Sequence, residues 1–521
     1  MKKHAPLAIV ALAAIVACIP VWLSARLPTM DGPQHLLVAK MSARFDDPAY
    51  GYSQFFDRNP THGLPNLGDV VLRFMFAVGL PAALTQKLFV TLFVVLLAAS
   101  VAYACSARDA RSAVFAAPAM LVVHGLALDM GFFEYLLSIP FGIAALGVAL
   151  RAKGTQSTRR AALCAVLLSL SVLAHPFVCA ALLPAFALVA WAQKQRPVRA
   201  IVPLLPALAI AASVFLTQAS VKQEITLTVW STWLDGLAIL AFDGFRGVAS
   251  TGTIGLLGAL VVVGPGFVAA ARTRGRLLVG LLVLAVIYAL SSAFLPGAAF
   301  NWALLQHRFV PLFWISALLL ASQAPVPYPR VLVGVSVAFL CAQCFLVARK
   351  YAVIDRGIAD YVAGTESLPR AARVLPLDFA PRGESEHWVV RPYLHAWAWP
   401  LMERGGMTPY VFASLPIHPF RFHDKPPAPP EFVDLSYSCL GHGITPKTPE
   451  CDAFHAGRLR AFAALAPPYD AVLTWRAPVE LRPLLEAHGF HLAHQGRGSA
   501  VYLRDSKRDA SADAPGSGLA F

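Results

Sequence analysis

Residues 331–348 read VLVGVSVAFLCAQCFLVA, eighteen residues without a charge, closed by Arg349 and Lys350. A helix of that length and composition crosses the roughly 30 Å of hydrocarbon in a bilayer. Towards the N-terminus the pattern recurs at about 6–24, 84–106, 112–128, 132–150, 161–174, 176–192, 198–218, 252–271, 277–295 and 308–323. The expectation is a polytopic α-helical membrane protein with about eleven transmembrane helices. The apolar run 161–192 is divided at His175-Pro176, because proline bars helix at the residue before it. The stretch 234–245, LDGLAILAFDGF, is too short to span and carries Asp235 and Asp243. It reads as an interfacial or re-entrant piece.

Composition agrees. Hydrophobic residues make up 57% of the chain, charged residues 14%, and the mean hydropathy is +0.60. Soluble domains carry roughly 25% charge, so much of this exterior faces lipid. The net charge of +14 does not imply nucleic acid. Its basic residues fall in short clusters between apolar runs, whereas a nucleic-acid binder gathers them on one soluble face.

Those clusters orient the chain. Lys2 and Lys3, Arg108 and Arg111, Arg151 to Arg160, Lys194 to Arg199, and Arg272 to Arg276 occupy every second connection. Basic connections stay cytoplasmic. The N-terminus is then inside, and the first span is a retained signal anchor. The expected division is a transmembrane domain, 1–349, with a long outside loop, 25–83. An extracytoplasmic α/β domain, 350–504, and a disordered polar tail, 505–521, follow. Within the α/β domain, Ala372–Leu377, Ala471–Trp475 and Ser499–Leu503 read as strands and Val479–His488 as a helix. The location is the cytoplasmic (inner) membrane, and membrane lipid is the obligate surrounding. Nothing in the sequence sets an oligomeric state.

The first outside loop holds Asp31, His35, Asp46, Asp47, Asp57, His62 and Asp69. Asp31 and His35 stand four apart in MDGPQH. A helix starting near Pro33 places Asp31 at its N-cap and His35 in its first turn. A carboxylate beside an imidazole can act as a base, bind a divalent metal or orient a sugar hydroxyl. The plain alternative is a helix cap in a polar loop. His124, Asp129 and Glu134 stand in the otherwise apolar VVHGLALDMGFFEYLL, residues 122–137. Ionisable groups at membrane depth are functional candidates, unless they sit in the headgroup zone. His175, at the third outside turn, reads first as a helix-end residue bonded to backbone. His307 and Arg308 open a late span, where Arg308 either holds an anionic phosphate or snorkels to headgroups. Cys439, His442, Cys451 and His455 have spacing compatible with zinc, with a Cys439–Cys451 disulfide, which an outside location favours, or with neither. Aromatics gather in HWVVRPYLHAWAW, residues 387–399, and at Trp230 and Trp233. They read as membrane-interface packing before a sugar-stacking surface.

The pattern resembles the GT-C class of membrane glycosyltransferases, which use polyprenyl-phosphate-linked sugars. The likeness rests on Asp31 just after the first span, Asp129 or Glu134 in the second outside loop, Arg308-Phe309 and Pro311 in HRFVPLF, and the outside α/β domain. The chain departs from that class at one point: Gly32 follows Asp31, so the usual paired acids are missing and His35 is the nearest polar partner. The resemblance implies an inverting hexosyl or pentosyl transfer from a polyprenyl-phosphate sugar. Asp31, with His35, would then be the catalytic pair, and Asp129 or Glu134 would assist with acceptor or metal. His307 and Arg308 would hold the lipid phosphate, and a divalent metal, Mg2+ or Mn2+, is the cofactor in view. The competing readings are a transporter or flippase, and a non-catalytic scaffold whose outer domain does the work. No internal symmetry of the transporter kind is visible.

Overall fold

The computed structural model describes residues 5–60, 66–152, 157–218, 233–273, 275–295, 298–299, 302–414 and 418–505. The chain runs through α1 (Ala5–Leu23), α2 (Gly32–Arg44), α3 (Leu67–Ala77), α4 (Ala82–Cys105), α5 (Phe133–Leu150) and α6 (Thr158–Ala174). It continues through α7 (Pro176–Ala192), α8 (Leu205–Gln218), α9 (Gly252–Thr273), α10 (Arg276–Phe294), α11 (Leu305–Gln323) and α12 (Pro329–Ala363). Among the described residues, eight helical stretches are long and apolar enough to cross a membrane: α1, α4, α5, the run Pro197–Val214 into α8, α9, α10, α11 and α12. The protein is therefore multi-pass.

Three of the eleven expected spans fall on shorter elements. α6 and α7 have 17 residues each and meet at His175, whose extended backbone ends one helix and caps the next. Residues 112–128 form no spanning helix. They fold as two 3-10 stretches, Ala110–Ala116 and Pro118–Val122, then one α turn, Leu126–Asp129. Pro118 cannot donate a backbone hydrogen bond, and it breaks the run. At Gly125 a Cβ would meet the Gly244 carbonyl oxygen at 2.4 Å. The segment is buried among helices and never had to satisfy itself alone in lipid.

Two compact units result. The first comprises residues 1–43, 59–355 and 382–392. In it α11 is buried along almost its whole length and packs on α9, α10 and α4. The interfacial piece at 234–245 is one α stretch, Trp233–Ala238, widening into a π turn, Ile239–Asp243. The second unit comprises 44–58, 356–381 and 393–521. Its middle piece starts at Arg356, within α12, a continuous helix of 35 residues. It also takes Arg44–Arg58 from the first loop. There β1 (Phe56–Arg58) pairs with a strand far along the chain, Phe420–Phe422, labelled β3.

The sheet of the second unit has four strands: β2 (Val374–Asp378), β4 (Ala471–Trp475), β5 (Phe490–Gln495) and β6 (Ser499–Arg504), in the order β2-β4-β6-β5. β2 and β4 run parallel and the rest antiparallel. Both parallel strands are buried at every residue, as expected of strands covered on two faces. Leu375, Leu377, Val472, Leu485 and Phe490 pack there with Leu459 and Phe462 of helix α13 (Pro449–Ala464). Cys439 and Cys451 form a disulfide, which leaves neither sulfur as a thiolate for zinc. His455 stacks on Tyr437 with ring centroids 4.2 Å apart, and His442 lies against Phe454.

Candidate active site

α2 starts where the sequence places it. Asp31 is the residue before its first turn, and the His35 N–H donates to the Asp31 carbonyl at 3.1 Å. The Asp31 carboxylate is partly exposed in a neighbourhood that is otherwise buried. Its backbone is tied to the loop before α5: Met30 N–H donates to the Asp129 carbonyl at 2.8 Å and Asp31 N–H to that of Met130 at 3.0 Å. Glycines permit this approach. Gly131 has φ +82°, and a Cβ on it would sit 2.3 Å from the Gly32 nitrogen. A Cβ on Gly32 would meet Thr29 Oγ1 at 2.1 Å and the Phe133 ring at 2.9 Å. The Gly32 that breaks the expected acid pair is therefore demanded by packing.

This contact yields a prediction. Gly131→Ala is expected to destabilise the purified protein well beyond Gly79→Ala, whose φ is +87° with nothing within 4 Å of its Cβ. Both pay the left-handed backbone cost of about 1–2 kcal/mol, but only the first also collides. Equal losses in thermal unfolding would show that the loop pairing at Asp31 is not needed for stability.

His35 points at α5. Its Nδ1 lies 2.8 Å from Glu134 Oε1. Asp69, in the first turn of α3, completes a triad: one ligating atom from each of His35, Asp69 and Glu134 lies within 4.8 Å of the others. α3 is seated by Asn66, which caps it through Gly68 N–H at 2.8 Å and donates to the Ala174 carbonyl at 2.6 Å. Burial alone would keep His35 neutral, but Glu134, Asp69 and Asp31 outweigh it and push its pKa up to about 9. Burial, reinforced by Glu134, raises Asp69 to about 7, against the pull of His35.

Arg308 closes the other side. It is 7% exposed, on the first turns of α11, with its guanidinium 4.3 Å from the Phe132 ring centre and 5.3 Å from that of Tyr135. Tyr135 Oη donates to the Arg308 carbonyl. Nη1 lies 3.4 Å from His175 Nε2, and Glu134 and Asp31 are both within electrostatic reach. His175 Nδ1 accepts the Phe177 N–H at 3.2 Å. Burial first, then Arg308, push the His175 pKa down to about 3. A neutral ring accepting at Nδ1 carries its proton on Nε2. His175 and Arg308 then present N–H donors side by side, an arrangement suited to an anionic oxygen.

Asp31, His35, Glu134, His175 and Arg308 thus gather in one cluster, joined by Asp69. Two candidates stand apart from it. Asp129 is 1% exposed; its carboxylate accepts the Tyr351 hydroxyl at 2.6 Å and the Val248 N–H at 2.6 Å. Burial pushes its pKa up to about 7 against those bonds. His307 turns away from Arg308 to Asp243, Nε2 to Oδ2 at 3.0 Å. The remaining loop acids lie elsewhere: Asp46 pairs with Arg58, and Asp57 with His423. His124 Nε2 donates to the Ala17 carbonyl at 2.8 Å. Of the aromatics, Trp397 and Trp399 are buried and Trp388 is exposed. Trp230, His62 and residues 506–521 lie outside the described residues, as does the side chain of Trp233.

No protein-family profile matches the chain, and no curated protein matches its sequence. Solved structures do match. The crystal structure of ArnT from Cupriavidus metallidurans bound to undecaprenyl phosphate superposes over 97% of this chain and 99% of its own, with TM-score 0.59 and 10% identity. The apo form of the same protein superposes over 95% and 97%, with TM-score 0.53 and 10% identity. Arabinofuranosyltransferase AftD from Mycobacteria aligns over 95% of this chain but 39% of its own, with TM-score 0.49 and 15% identity. The ArnT superpositions establish the fold, which is that of ArnT.

Proposed function

We propose that this protein transfers a sugar from a polyprenyl-phosphate-linked donor to an acceptor at the outer face of the cytoplasmic membrane. The observation that carries the reading is the cluster itself. A partly exposed carboxylate, Asp31, shares one electrostatic neighbourhood with a buried guanidinium, Arg308, on a GT-C scaffold. Asp31 takes the proton of the acceptor hydroxyl. The hydroxyl oxygen attacks the anomeric carbon with inversion, and the bond from that carbon to the phosphate oxygen breaks. Its electron pair passes to the phosphate, whose charge Arg308 and the His175 N–H stabilise. His35 and Glu134 flank the base. Asp129 assists indirectly, by holding the main chain on which Asp31 sits.

The triad His35, Asp69 and Glu134 suits a divalent metal, and two carboxylates with one imidazole favour Mn2+ over Mg2+. Such an ion would neutralise charge beside the transferring group. His35 must lose its proton to ligate. Mn2+ affinity of the purified protein is therefore expected to rise up to about tenfold per pH unit between pH 7 and 9. A flat profile by calorimetry would remove His35 from the ligand set.

The function is tested by incubating purified protein in detergent with lipid-linked sugars and following donor consumption. A flippase needs two sealed compartments and consumes nothing. If deleting the second unit abolishes the biological role while Asp31 is dispensable, the scaffold reading replaces this one.

A further inference from the structure

Three segments meet at a carboxylate that the proposed chemistry does not use. Asp243 ends the π turn of the interfacial piece and is 4% exposed. Its Oδ1 accepts from Arg246 Nε at 2.6 Å, and its Oδ2 lies 3.0 Å from His307 Nε2. His387, also buried, brings Nε2 to 3.7 Å of Oδ1. The His387 Nδ1 accepts the Val389 N–H at 3.3 Å, which leaves the ring proton on the nitrogen facing the carboxylate. The main chain beyond Asp243 is pinned as well. Val248 N–H donates to Asp129 at 2.6 Å, Glu386 N–H donates to the Val248 carbonyl at 3.0 Å, and Ser250 N–H donates to Glu386 Oε2 at 2.6 Å.

A buried ion cluster is a poor source of stability, because apolar groups of the same volume hold a core as well or better. What this one fixes is direction. His307 and Arg308 are consecutive on α11, so their side chains leave the helix about 100° apart. Locking His307 onto Asp243 sets the rotation of that first turn and aims Arg308 at His175. We propose that Asp243 is a positioning residue for Arg308, acting through His307 to hold the guanidinium where the lipid phosphate binds. This rests on the reading of Arg308 given above.

The test uses the purified full chain in detergent with two probes, undecaprenyl phosphate and undecaprenol, so that the preference for the phosphate is measured directly. Asp243→Asn is expected to weaken undecaprenyl phosphate binding about tenfold and leave undecaprenol binding unchanged. A general packing defect would weaken both alike and would overturn the proposal. In an Arg308→Ala background Asp243→Asn is expected to add nothing, because the two act on one contact. If Arg308→Ala loses the phosphate preference and Asp243→Asn keeps it, Asp243 has no positioning role and the reading of Arg308 stands. If Arg308→Ala keeps it, the reading of Arg308 itself fails. His307→Leu cuts the same link while leaving Arg246 on the carboxylate. It decides by the same criterion should Asp243→Asn not fold.

Discussion

Asp31→Asn is expected to slow sugar transfer by about 10²–10⁴-fold, the usual contribution of a general base, without weakening undecaprenyl phosphate binding. The substitution is selective for physical reasons. Asp31 stands at the start of α2, where asparagine caps as well as aspartate. The backbone bonds from Met30 and Asp31 to the 129–130 carbonyls do not involve the side chain. Helix, loop pairing and the glycine contact at Gly131 all survive. What is lost is the negative charge and the capacity to take a proton. Steady-state transfer with lipid-linked donor measures the effect, and binding of the bare carrier provides the control. A variant that transfers within about threefold of wild type excludes Asp31 as the base.

The second large effect is on the carrier. Arg308→Ala is expected to weaken undecaprenyl phosphate binding by about 2–5 kcal/mol, the cost of truncating one partner of a buried charge pair. At 1.4 kcal/mol per tenfold that is at least an order of magnitude in Kd. Arg308→Lys is expected to recover only part of it. The guanidinium lies over Phe132 and beside His175, and an ammonium reproduces neither the flat stacking surface nor the fork of donors. Full recovery by lysine would mean that only net charge matters there.

Much of the membrane part was legible because lipid imposes one rule on every spanning segment: its backbone must satisfy itself in a helix about 20 residues long. That rule misled at 112–128, where the apolar run is sheltered by protein and Pro118 ends the helix early. In the second unit Ala471–Trp475, AVLTW, was legible as a short run rich in strand-forming residues. β5, reading FHLAHQ, was not, because only one of its faces is buried. The candidate site divides in the same way. Asp31 and His35 were found because they are close along the chain and a cap has a local signature. Asp69 lies in the same loop, but its approach to Glu134 depends on Asn66 seating α3 on Ala174, a tertiary contact with no local sign. Asp243 was visible as a polar interruption, and its partners His307 and His387 are 64 and 144 residues further along. Asp129 was conspicuous as an acid in an apolar stretch. That feature marks burial, and burial suits a structural clamp as well as a catalyst.

The Cys439–Cys451 bridge gives the chain a built-in compass. Disulfides persist on the oxidising side of a membrane and are reduced on the other. The six remaining cysteines all lie in helices of the first unit. The redox state of this one pair, read by trapping thiols with a charged maleimide after acid quench, therefore reports the side to which residue 439 has been delivered. Followed during synthesis, the same signal becomes a clock that times the exposure of this pair to an oxidising compartment without a fused reporter.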